Sequence, residues 1–109
     1  MNLIDEQLKL KAGLSLQVAK HYTNAWAVVR DQLEKDNNLV TLANVVNSVL
    51  EHMKVHQCSW NEAVTNIAIN LETEGAKLLV MAAGVEICLK GFEPGQTVSL
   101  GAIMETTNS

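Results

Sequence analysis

His52 and His56 stand four residues apart, and Cys58 follows two residues later. On a helix the two imidazoles project from the same side, and a thiol supplies a third donor, a set that suits zinc or a related transition metal. Two features weigh against it. Glu51 precedes the first histidine, so there is no HExxH motif, and no second pair with ligand spacing occurs elsewhere. The expectation is no metal, the histidines instead closing a helix whose C-terminal dipole favours a cation. A His56–Cys58 nucleophile is no better supported. A reactive thiolate needs an electropositive pocket, and no Lys or Arg occurs between Lys54 and Lys77.

Carboxylates in close pairs are confined to Asp5–Glu6 and Glu72–Glu74, both near expected helix ends, where solvated faces account for them. Glu86 differs because it sits within an apolar run. A glutamate in such a place either reaches solvent at an oligomer rim or is held in an ion pair, and both are favoured over a catalytic role. The glycines at 13, 75, 84, 91, 95 and 101 make neither GxGxxG nor GxxxxGK, so no phosphate cradle is expected.

The stretch Leu14 to Arg30 can be divided into a helix, a turn at Tyr22 to Asn24 and a second helix presenting Arg30 to DNA. No glycine marks the turn, and base-reading side chains are few, so one amphipathic helix is the simpler account. Trp26 and Trp60 fall on apolar faces and are expected to be core anchors rather than stacking platforms.

These residues need helices to position them. Ala19, Tyr22, Trp26, Val29 and Leu33 follow at steps of three and four, as do Leu39, Leu42, Val46, Val49 and Met53, which is the spacing of one helical face. Trp60, Val64, Ile67 and Leu71 repeat it, behind a Ser59–Glu62 capping-box signature. Asp36 to Asn38 form a polar break in which an Asn can end one helix and cap the next. The expected helices are 2–12, 14–35, 39–57, 59–74 and 76–90, with Gly75 as the stop of the fourth. For 76–90, a strand pair around Gly84 is the alternative. Pro94–Gly95 has the chemistry of a type II turn, and 91–109 is expected to be an irregular or extended arm, with a last short helix over Thr97 to Met104 as the other possibility and a frayed tail from Glu105.

The chain has 109 residues, 48% of them apolar and 18% charged, which fits one all-α domain of four to five helices with apolar surface left over. Its net charge is −4, with the acidic surplus in residues 55–109, where Lys77 and Lys90 face six glutamates. Counterion release from phosphate needs several cations, so DNA binding is disfavoured. Cys58 and Cys88 form no disulfide framework, Asp5 and Glu6 stand where a signal peptide carries positive charge, and the longest apolar run, Leu78 to Val85, is too short to span a bilayer. A cytoplasmic protein with no membrane contact and no cofactor is expected.

The function expected is non-enzymatic protein binding: an adaptor, inhibitor, chaperone or regulatory subunit. A dimeric helix-turn-helix-like DNA-binding regulator is the alternative, and a helical small-molecule sensor the third reading. The residues of 76–90 spread over more than one face, and Ala82 to Gly84 are small enough for close backbone approach. A homodimer is therefore expected, with Leu79, Ala82, Ala83 and Glu86 at the interface.

Overall fold

The computed structural model describes residues 3–105. They form six helices: α1 (Leu3–Ala12), α2 (Leu16–Lys35), α3 (Leu39–His56), α4 (Trp60–Ala68), α5 (Glu74–Lys90) and α6 (Leu100–Met104). No strand occurs among them, and no helix is long and apolar enough to cross a membrane. Asn2, expected to open the first helix, and 106–109 of the expected tail lie outside the described residues.

The expected faces form the core. Leu42, Val46, Val49, Leu50 and Met53 of α3 are buried, and Leu39 is half-buried at the start of their stripe. Tyr22 of α2 meets Trp60 of α4 edge-on, with ring centroids 5.2 Å apart and planes at 81°. This geometry aligns the ring quadrupoles favourably. The Tyr22 hydroxyl donates to Asn61 Oδ1 at 2.7 Å, so the phenol keeps a partner in the interior.

Helix starts follow local side-chain chemistry. Ser15, Thr73 and Ser99 each accept from a backbone amide three residues ahead, and Ser59 and Glu62 complete a reciprocal capping box. In the α2–α3 link, Asn37 takes a left-handed conformation at φ 52°, while the side chain of Asn38 makes no cap bond. The fourth helix ends at Ala68 rather than 74. Thr73 captures the Ala76 amide at 3.2 Å and opens α5, so Gly75 lies inside the first turn of α5 instead of stopping α4.

α5 is one helix, not a strand pair, and it packs against α1, α2, α3 and α4. Being surrounded, it buries more than one face, and Ala82, Ala83 and Glu86 are inside the chain's own core. This corrects their expected place at a dimer interface. The small residues serve an approach within the chain: a Cβ on Gly84 would lie 2.7 Å from both Trp60 Cε3 and Val64 Cγ2 of α4. Only Leu79 of the expected set is half-buried near the surface.

Beyond α5 the arm is a docked strap. Gln96 N donates to Glu93 O at 3.0 Å, closing the turn in which Gly95 takes φ 78°. The Gly95 amide then donates to Leu50 O at 2.9 Å. Asn47 of α3 pairs with both backbone groups of Val98: its Oδ1 accepts from Val98 N at 2.7 Å, and its Nδ2 donates to Val98 O at 3.1 Å. The chain then forms the short α6, whose Ile103 is fully buried, rather than remaining extended throughout.

Candidate protein-docking surface

The residues singled out for chemistry divide into a histidine pair, a buried ionic group and an apolar surface. The His52 and His56 rings stack with centroids 4.2 Å apart and planes tilted by 32°. Among the described residues, no group of three or more His, Cys, Asp or Glu side chains is placed to hold a metal ion. Cys58 and Cys88 are both free thiols, and burial pushes the Cys88 thiol up, against the smaller opposing effects of Lys11 and a Trp60 contact. The raised Cys88 thiol is the opposite of the depressed thiol that a nucleophile needs.

Glu86, 1% exposed, is held from three sides. Its Oε1 accepts from Trp26 Nε1 at 3.0 Å and from Arg30 Nη1, while Lys90 Nζ stands 2.9 Å from Oε2 as an ion pair. The Arg30 guanidinium also lies over the Trp26 ring, 5.9 Å from its centroid. Lys90 donates further to Ala102 O and Ile103 O at 2.9 and 3.0 Å, which ties α6 to the same group. The carboxylate is enclosed by two cations and an indole and screened from water, and Arg30 is shared with the exposed Glu34 at 3.5 Å. Glu86 lines none of the three clefts at the surface.

The helix-turn-helix division fails at its turn, because Tyr22 to Asn24 lie in mid-α2, with Tyr22 and Thr23 buried. Arg30, expected on the surface, has a side chain only 11% exposed and is paired with both Glu86 and Glu34.

What remains open is apolar. Nine large apolar side chains are exposed among the described residues, and Val28, Val40, Leu100 and Met104 of these line two clefts that share Leu33. One cleft, of about 420 Å³, lies between the end of α2, the start of α3 and α6, with Leu33, Leu39, Val40, Leu100 and Met104 on its walls and Glu34 at its edge. The other, of about 260 Å³, runs between α2 and α5 past Val28, Val29, Leu33, Leu78 and Leu79. A third, on the α4 side, is lined by Val64, Ile69 and Met81 together with Tyr22 and Lys77. All three are open to solvent.

No family model, curated protein or solved structure matches this chain. Leu79, expected at an interface, lies on the α2–α5 cleft; Val28, Val40 and Met104 were not singled out by sequence. Their signal was present for two of them: Val28 and Val40 are apolar yet fall off the core stripes of α2 and α3. Met104 and Leu100 become surface walls only because Asn47 and Lys90 dock the strap against the bundle.

Proposed function

We propose that this chain is a non-enzymatic protein-binding module whose contact surface is the pair of clefts meeting at Leu33. The observation that carries this reading is the clustering of exposed apolar side chains there, Val28 at 62% and Met104 at 57% exposure, around a half-buried leucine. Contiguous apolar surface of this kind marks contact sites, whereas isolated exposed residues need no explanation. The titratable groups support the same reading: among the described residues no third ligand stands with the histidine pair, and Glu86 is ion-paired inside the core. The partner is another protein or a second copy of this chain, in a role such as adaptor, inhibitor, chaperone or regulatory subunit.

Site-specific photo-crosslinking tests it. A benzophenone side chain placed at Val28 in the cells that make the protein should yield a discrete protein adduct, absent when the probe is placed at Val55, exposed on α3 outside both clefts. An adduct of twice the chain's 11.9 kDa, with light scattering near about 24 kDa, identifies a homodimer. The absence of any adduct specific to position 28 refutes the assignment of this surface.

A further inference from the structure

The rim of the two clefts carries a surplus of negative charge. Glu34 stands at the edge of the α2–α3–α6 cleft itself. Asp31 lies one turn beyond Val28 on the same face of α2, Asp36 precedes the cleft residue Asn37, Glu74 precedes Gly75 in the first turn of α5, and Glu105 follows Met104. All five carboxylates are exposed. The ammonium among them, Lys35, is already paired with Asp31 at 2.9 Å. Glu34 is paired with Arg30 at 3.5 Å, whereas Asp36, Glu74 and Glu105 make no ion pair among the described residues, so the apolar floor is bordered by a surplus of carboxylates.

The backbone narrows the form of the partner. With no strand among the described residues, there is no sheet edge to which an extended peptide could add by main-chain pairing, so recognition rests on side-chain anchors in a groove between helices. An amphipathic helix delivers anchors at positions three and four apart, matching a floor that runs along helices. Charge decides between partners. A second copy brings its own acidic rim to a twofold contact, and phosphate-bearing surfaces, whether nucleic acid or anionic lipid, are repelled.

We propose that the clefts meeting at Leu33 receive an amphipathic helix of a partner protein whose apolar face is flanked by lysine or arginine. This rests on the protein-docking reading above and specifies the partner's chemistry.

The full chain is titrated with two synthetic peptides of about 18 residues, roughly five helical turns. They share one leucine face and carry either lysine or glutamate on the other. The lysine peptide should bind, losing about tenfold in affinity between about 0.05 and 0.5 M salt, and the glutamate peptide should bind at least about tenfold more weakly. Val28→Ser and Met104→Ser, at exposed positions, should each weaken the lysine peptide by about tenfold, while Val55→Ser leaves it unchanged. Equal binding of the two peptides, equal weakening by Val55→Ser, or no binding of either overturns the proposal. Binding to phosphatidylserine vesicles that Val28→Ser abolishes also overturns it. The crosslink at position 28 separates the two levels: an adduct there together with indifference to peptide charge keeps the docking surface and discards the basic partner.

Discussion

The indole N–H of Trp26 donates to the carboxylate of Glu86 across 3.0 Å, joining α2 to α5 over a sequence separation of 60 residues. Arg30 reaches the same oxygen from one turn further along α2, and Lys90 holds the other from one turn further along α5. The interior of the bundle therefore contains a satisfied ionic group in place of a continuous apolar seam.

Removing the carboxylate should expose how much that group matters. Glu86→Leu leaves Lys90 without its counter-charge and Arg30 with only the exposed Glu34, both cations 11% exposed, and should cost about 3–5 kcal/mol in denaturant unfolding. Converting all three together, Arg30→Met, Glu86→Leu and Lys90→Met, should recover most of that loss, because the desolvation cost vanishes with the charges. A triple variant as unstable as Glu86→Leu would show that the ionic contacts themselves carry the stability.

Gly84 should resist even the smallest side chain. A methyl there meets Trp60 and Val64 at 2.7 Å, and neither an indole edge nor a valine on a neighbouring helix can yield without moving α4. Gly84→Ala is expected to lower stability by about 1–3 kcal/mol and to alter Trp60 fluorescence. Gly75→Ala, with open space around the added carbon, should leave stability unchanged or raise it by up to about 1 kcal/mol.

Asn47 should control the strap. Asn47→Ala strips both backbone groups of the buried Val98 of their partner, at a cost of about 1–3 kcal/mol. Hydrogen exchange should accelerate first at the Val98 amide and in α6, while the amides of α3 keep their protection. Asn47→Asp retains the acceptor for Val98 N–H but loses the donor to Val98 O, and should fall between the two.

Stability should decline in alkaline solution. Burial raises the pKa of the Tyr22 phenol, with the Thr65 hydroxyl offsetting part of the effect, and raises that of the Cys88 thiol. A raised folded-state pKa means the unfolded chain releases its proton first, so the contribution is complete below the ordinary value of each group and is lost as pH rises through the folded one. Unfolding free energy measured from neutral pH upward should therefore fall, first over the thiol range and then over the phenol range. Cys88→Ala should remove the first part of that dependence and Tyr22→Phe the second; an unchanged slope in both would refute the assignment.

The sequence by itself determined the helices and most of their limits, because those depend on interactions within a few residues. Steps of three and four marked the core faces of α2, α3 and α4, Ser59 and Glu62 announced a cap that forms, and Pro94–Gly95 announced a turn. Where two local signals competed, as Gly75 against Thr73, the pattern could not rank them, and α4 came out shorter than its apolar spacing implied. Tertiary structure alone decided the rest. The run of α5 is apolar on every side and so names no face; only the four helices around it show that Ala82 and Ala83 are interior rather than intermolecular. Glu86 advertised a need for partners, but Arg30 and Trp26 lie 56 and 60 residues away, and nothing local selects them. The clefts at Leu33 were equally hidden. Whether Val28, Val40 or Met104 stays exposed depends on which neighbours cover them, and covering is a property of packed elements rather than of any one segment.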